Sequence, residues 1–234
     1  MIKAVFFDLY GTLAGFSPSR YDIQSGACAD FDIEVTPEGI LKGYALADSY
    51  MSDQNTTSPV RLRDEAGRDE FFAEYERRVL QGAGVEVTAE RALEVWRRVR
   101  TSRYELTRFD DVLPTLEVLR ARGLTLGMIS NINRDSAEMT EVMGLSDHLD
   151  FAVTSVEVGA EKPHPPIFLA ALKKAEADPS EAVHVGDQLS SDVEGARGVG
   201  ISPVLLDRDR NHPDITRCPR IETLGELPAL LAEY

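Results

Sequence analysis

The chain is poor in cysteine, in positive charge and in long apolar runs, and each shortage removes a class of protein. Of 234 residues only Cys28 and Cys218 are cysteines. They lie far apart and lack a metal-ligand spacing, so they read as two reduced thiols and not as a disulfide framework or a zinc knuckle. Lysine and arginine number 25 against 40 acidic residues, a formal net charge of −15. That balance speaks against nucleic acid and anionic membrane surfaces as partners, since both are held through basic patches. A small anionic substrate remains, and it would need local cations working against the overall field. No stretch approaches the roughly 20 apolar residues of a membrane span. Met1-Ile2-Lys3-Ala4 enters a strand-like run with no signal-peptide pattern, so a cytoplasmic location is expected. Internal repeats, low-complexity tracts and any signature of oligomeric state are also missing.

What is present is a 43% hydrophobic chain, long enough to bury a sizeable core. Val5-Phe6-Phe7-Asp8-Leu9-Tyr10-Gly11-Thr12-Leu13 reads as a buried strand running into a turn, with one carboxylate at the strand's end and Gly11 letting the backbone fold back. Ala14 to Arg20 is turn-rich, with Ser17 or Ser19 placed to cap a helix near Arg20. From there to Thr107 apolar residues recur at helical spacing, which predicts an all-helical insert of at least four helices. Breaks are expected at Ser52–Pro59 and at Gly82-Ala83-Gly84, with helix starts at Thr36-Pro37-Glu38 and Thr88-Ala89-Glu90. Trp96 and Phe71-Phe72 read as core of that insert. Arg20, Tyr21, Tyr50, Arg61 and Arg63 read as structural or solvated.

From Phe109 the texture alternates. Helix is expected over Pro114–Arg122, Asp135–Met143, Pro165–Ala175 and Asp192–Arg197; strands are expected at Leu124–Ile129, Phe151–Thr154, Ala182–Asp187 and Ser202–Leu206. Alternation of this kind implies a parallel sheet. Strand ends then carry Asp8, Ser130 with Asn131, Lys162 just beyond the third, and Asp187 followed by Asp192, all along one edge. Each alone is explained as a cap or a solvated charge; the ordered set is not. His184 reads as a packed, hydrogen-bonded strand residue, and Asp207-Arg208-Asp209-Arg210 as a solvated loop.

The ordered set resembles the haloacid dehalogenase (HAD) superfamily of aspartyl-nucleophile hydrolases. The matches are Asp8-Leu9-Tyr10-Gly11-Thr12, Ser130-Asn131, Lys162-Pro163, and Gly186-Asp187-Gln188-Leu189-Ser190-Ser191-Asp192, in the family's order. The resemblance implies an α/β, Rossmann-like parallel sheet core at 1–15 and 108–234, with an inserted all-helical cap domain at 16–107. It implies Asp8 as nucleophile, with Thr12 orienting it or the substrate. Ser130 and the Asn131 amide would hold phosphoryl oxygens, and Lys162 would offset like charge. Mg²⁺ would be held by Asp8, the main-chain carbonyl of Tyr10 and Asp187, with Asp192 orienting the ion and its waters.

Tyr10 departs from the family's phosphatases, which commonly carry a general acid/base aspartate there. A phenol, with an ordinary pKa of about 10, is poorly matched to that task. Tyrosine at this position is similar to the L-2-haloacid dehalogenases, whose halide leaving group needs no proton and which work without a metal. The fourth motif points the other way, because dehalogenases of this family replace its first acid with small neutral residues. The expectation is therefore a Mg²⁺-dependent phosphatase acting on a small phosphorylated metabolite, ahead of a dehalogenase and of a slow or inactive binding module with the same fold.

Overall fold

Ala4–Phe7 forms a strand with all four residues fully buried, and the rest of the sheet is laid down on either side of it. A computed structural model describes residues 1–234, the side chain of Thr56 excepted. In chain order the strands are β1 (Ala4–Phe7), β2 (Ala14–Ser17), β3 (Glu105–Arg108), β4 (Thr125–Ser130), β5 (Phe151–Thr154), β6 (Ala182–Gly186), β7 (Ser202–Leu206) and β8 (Arg220–Ile221). The helices are α1 (Arg20–Ala29), α2 (Pro37–Thr57), α3 (Glu65–Gly82), α4 (Ala89–Arg100), α5 (Val112–Ala121), α6 (Ser136–Val142), α7 (Ser155–Val158), α8 (Pro165–Ala175), α9 (Gly195–Gly198) and α10 (Leu227–Leu230). The chain divides into two units, Met1–Gly15 with Leu106–Tyr234, and Phe16–Glu105.

The first unit is an α/β, Rossmann-like layer structure. Its six strands run in the order β5-β4-β1-β6-β7-β8, every pair parallel. Both sheet faces are covered, so β1 shows a continuous apolar run where a half-exposed strand would alternate. Val5 and Phe7 join Leu116 and Leu119 of α5 and Met139 of α6 on one face, while Ala4 and Phe6 join Ile167, Phe168 and Ala171 of α8 on the other. The chain leaves β1 toward β4 and β5 and later returns to β6 on β1's other side. Strand order therefore reverses beside β1, and in open α/β sheets the crevice beyond the strand ends at such a point is where ligands bind.

Several local expectations are revised. Ala14–Ser17, read as turn-rich, is strand β2, which pairs in a separate two-stranded sheet with β3 at Glu105–Arg108. Glu-Leu-Thr-Arg alternates exposed and half-buried residues, a period of two within a stretch read as helical. The second division between the units accordingly falls at Glu105/Leu106, two residues before the expected boundary. The helix expected from Asp192 begins at Leu189 as a π-helical turn, because the N–H groups of Asp192 and Val193 both reach the Gln188 carbonyl, at 2.9 and 3.2 Å. The loop after β7 is not solvated throughout. Asp207 is buried, and its carboxylate accepts the N–H groups of Asn211 and His212 and an Arg220 guanidinium.

The second unit is the four-helix insert. Three helices start as read, with Ser19, Thr36 and Thr88 capping α1, α2 and α4; α3, whose start carried no reading, is capped by Asp64. The expected break at Ser52–Pro59 comes later, since α2 runs to Thr57. Ser52–Asn55 are polar but remain helical, and it is Pro59 that forces Ser58 out of helical geometry, to φ −143° and ψ 77°. Phe71 packs with Ile40, Tyr44 and Val79, and Phe72 stacks on Trp96 with ring centroids 4.0 Å apart. Tyr50 stacks on Phe71, and Arg20 forks onto Asp48 at 2.7 and 3.3 Å, so both are internal to this unit.

A buried polar pair sits inside this unit. Glu76 accepts from the Gln24 amide, whose carbonyl takes the Tyr44 hydroxyl at 3.0 Å. Burial pushes the Glu76 carboxyl up to about 7, with the Gln24 bond opposing. A raised carboxyl stabilises the fold fully below its unfolded value and loses that contribution as pH rises through about 7, a span worth roughly 3 kcal/mol. Glu76→Gln keeps the contact and removes the ionisation. It is expected to raise the melting temperature by several degrees at pH 8 and to leave it unchanged near pH 4.5; equal melting curves of variant and parent at pH 8 would refute this.

Candidate active site

The four motifs meet at the carboxyl edge of the sheet. β1 ends at Phe7, paired with Met128 of β4 and Val185 of β6, and Asp8 continues the ladder by donating its N–H to the Val185 carbonyl at 2.9 Å. The chain then turns at once. The N–H groups of Leu13 and Ala14 both reach the Leu9 carbonyl, and Gly11 takes a φ of +79°. A Cβ on Gly11 would lie 2.3 Å from a carboxylate oxygen of Asp187, so both the backbone angle and the close approach require glycine. At Gly186 a Cβ would lie 2.2 Å from the Asp192 carboxyl carbon, and the absence of a side chain lets Asp192 fold back over the end of β6.

Lys162 is the centre of the charge arrangement. Its ammonium, 2% exposed, donates to Asp8 Oδ1 at 2.5 Å and to Asp192 Oδ1 at 2.6 Å. Burial alone would favour the neutral amine, yet Asp192 and Asp8 outweigh it and hold the ammonium well above its usual value. Asp192 is likewise held well below the ordinary carboxylate range against its burial, by Lys162 and His184. Burial pushes Asp8 up to about 6; Lys162 opposes this and Asp192 adds to it. Asp8 is thus the less firmly ionised of the two acids, in keeping with one ammonium shared between them.

Two further contacts set the lysine's position. The Asn131 side chain accepts the Lys162 N–H at 2.7 Å and donates to the Lys162 carbonyl at 2.9 Å. The Asn131 side chain is thereby committed to the lysine's backbone. His184, fully buried in β6 with its ring edge-on to Phe168, meets Asp192 Oδ1 at 2.9 Å through Nε2. Burial pushes His184 below its usual value, so the neutral ring donates from Nε2. As expected, this histidine packs and hydrogen-bonds; its orienting of Asp192 has no sequence signal beyond its place in the strand.

Ser130, last residue of β4, and Thr12 are fully buried, and their hydroxyl oxygens have no hydrogen-bond partner among the described residues. A buried hydroxyl without a partner is costly, and a ligand oxygen would satisfy it. Tyr10 is half-buried and packs against the apolar core of this unit. Asp8, Asp187 and Asp192 each place a carboxylate oxygen within 4.8 Å of the others. An all-oxygen, anionic donor set of this kind fits a hard divalent cation such as Mg²⁺. Asp192 also serves Lys162, His184 and, at 3.0 Å, the Gln188 N–H.

The carboxyl edge of a parallel sheet thus gathers a carboxylate, a lysine and further acids, a set of groups suited to hydrolytic chemistry at the place where α/β sheets bind ligands. Comparison with known proteins narrows this. Residues 2–200 match the haloacid dehalogenase-like hydrolase family, and the chain belongs to it. It is 34% identical over 139 residues, 55% of its length, to the ribulose-1,5-bisphosphate 5-phosphatase of Halopiger xanaduensis, of which 58% is covered. Along 97% of this chain it is 28% identical to the whole glyceraldehyde 3-phosphate phosphatase of Methanothermobacter thermautotrophicus. The chain spans only 37% to 58% of the length of the first curated relatives it matches. Among solved structures, a 2-haloacid dehalogenase from Pseudomonas syringae superimposes with a TM-score of 0.57 at 30% identity, covering 100% of this chain and 99% of the other. A HAD phosphatase from Thermococcus onnurineus does so with 0.56 at 27% identity, covering 98% of each. No helix among the described residues is long and apolar enough to cross a membrane.

Removing the shared ammonium should expose its role. Lys162→Met leaves Asp8 and Asp192 buried without their cation, and is expected to cost about 3–5 kcal/mol at pH 8. The loss should shrink near pH 5, where Asp8, already at about 6, takes a proton. Denaturant unfolding at the two pH values measures both, and an equal loss at each would contradict the arrangement.

Proposed function

We propose that this chain is a Mg²⁺-dependent phosphatase that hydrolyses a small phosphorylated metabolite through Asp8. The observation that carries the reading is the charge count at the sheet edge: three carboxylates gathered within 4.8 Å against one ammonium. Such a site would repel an anionic haloacid and hold Asp8 back from ionising, and a divalent cation removes both objections. The names of the two phosphatase relatives agree with it.

In this reading Lys162 holds Asp8 Oδ1, which leaves Oδ2 to attack phosphorus. The Asp8 O–P bond forms as the ester P–O bond breaks, and the leaving alkoxide takes its proton from water. The Ser130 hydroxyl donates to a phosphoryl oxygen, and Thr12, in the turn that follows Asp8, supplies a second buried hydroxyl. Water then attacks the phosphorylated Asp8, releasing inorganic phosphate and restoring the carboxylate. Asp8, Asp187 and the Tyr10 carbonyl would hold Mg²⁺, with Asp192 orienting the ion and its waters, and the ion would supply positive charge against the phosphoryl oxygens and the acids. The helical unit has the role of the cap that selects the substrate. With Tyr10 in place of an aspartate, the favoured substrates carry a leaving group that departs with little proton assistance, such as an acyl phosphate.

Tyr10, together with the similarity to the Pseudomonas syringae enzyme, favours a second reading as an L-2-haloacid dehalogenase. The two separate on p-nitrophenyl phosphate with Mg²⁺ or chelator, and on L-2-chloropropionate. Phosphate release that chelator abolishes and Asp8→Asn lowers by about 10³-fold or more is expected, without chloride release. Metal-independent chloride release would replace the first reading with the second. Tyr10→Asp is expected to raise kcat on alkyl phosphates by about 10-fold or more, the scale of general acid catalysis; an unchanged kcat would remove proton transfer as the limit.

A further inference from the structure

The turn that carries Asp8 is closed on itself on one side and gripped from outside on the other. Internally, Leu13 and Ala14 N–H reach Leu9 O, and Gly11 N–H reaches Ala14 O at 2.8 Å. Externally, the Leu13 carbonyl accepts the Phe109 N–H at 3.2 Å, and the Thr12 carbonyl accepts Arg208 Nη2 at 2.9 Å. Arg208 lies two residues beyond β7, in the loop whose charges read from sequence as solvated.

Its guanidinium forks onto Asp111, Nη1 to Oδ2 at 2.8 Å and Nη2 to Oδ1 at 2.9 Å, and lies 4.1 Å over the Phe109 ring. Asp111 is itself held, since Oδ2 also accepts the Leu224 N–H at 2.9 Å. Arg208 and these hydrogen bonds bring Asp111 below the usual carboxylate range against its burial. A carboxylate, a ring face and a neighbouring backbone amide therefore fix one arginine so that its remaining Nη2 hydrogen points at a peptide of the catalytic turn. Lysine has the charge but neither the fork nor the plane.

We infer that Arg208, oriented by Asp111, is a positioning residue for the Asp8 centre: by gripping the Thr12 carbonyl it holds the Leu9–Leu13 turn in the arrangement the reaction needs. Nothing here touches substrate. The effect runs through the peptide that sets the Thr12 hydroxyl and the Tyr10 carbonyl, and a misplacement of about 1 Å in a reacting geometry costs on the order of 10²-fold in rate. The inference rests on the reading of Asp8 as nucleophile.

The test uses the full chain with Arg208→Met, Arg208→Lys, Asp111→Asn and the Arg208→Met/Asp111→Asn double variant. Melting temperature, kcat and KM for p-nitrophenyl phosphate with Mg²⁺, and hydrogen exchange of a peptide covering residues 9–14 without substrate are measured. Expected are a fall in kcat of about 10-fold or more with KM within about 2-fold, faster exchange confined to 9–14, and partial rescue by lysine. The double variant should be no worse than Arg208→Met, because both remove one grip. An unchanged kcat, measured well below each variant's melting temperature, overturns the inference; so does a kcat loss accompanied only by chain-wide faster exchange. Should Arg208→Met fail to fold, Asp111→Asn gives the same readings with the arginine retained. If the parent enzyme releases no phosphate, the phosphatase reading fails by itself, and unchanged exchange at 9–14 then overturns the grip as well.

Discussion

The site depends on one buried ammonium. Lys162 stands between Asp8 and Asp192, and without it two carboxylates in a water-poor pocket could not both stay ionised. The cost of burying that cation is offset only by close, well-directed partners, so its position is over-determined. Asn131 holds its backbone from both sides, and His184 holds the acid that holds its head. Residues from four separate chain segments thereby become one object, and moving any of them redistributes charge at Asp8.

Sheet topology makes this economical. β1 lies between β4 and β6, so the chain that follows Phe7 faces the ends of both neighbours, and the reversal of strand order leaves room beyond them. Short, tight connections do the rest. Gly11 and Gly186 let Asp187 and Asp192 approach to distances that a side chain would forbid. Where the family's phosphatases commonly carry an aspartate this chain has Tyr10, whose ring packs on the core, so the chemistry proposed for the centre loses a proton donor and gains apolar contact.

Much of this was legible in the residues, and the limits were physical. Asp8, Ser130 and Asp187 announced themselves because apolar runs stop beside them, and the helix starts at Ser19, Thr36 and Thr88 because caps are local chemistry. β2 and β3 were not legible: four-residue strands with mixed burial carry little periodicity, and their pairing joins residues about ninety positions apart. Polar composition misled at Ser52–Asn55, which stay helical until Pro59, and at Asp207, a buried acid in a charged stretch. Asn131 was placed correctly at the strand end, but the partner of its side chain could not be read from it.

The sequence by itself determined most of the strands and helices around β1, the parallel sense of the core, and the set of acids, hydroxyls and one lysine brought to its edge. These follow from periodicity, caps and motif order, all carried by neighbouring residues. Only the tertiary structure decided who holds whom: Lys162 shared between Asp8 and Asp192, Asn131 on the lysine's backbone, His184 on Asp192, Arg208 on Asp111 and the Thr12 carbonyl. The last two pairs are separated by 97 and 196 residues. Directional bonds over such distances depend on ångström-scale placement of whole elements, which no local pattern encodes.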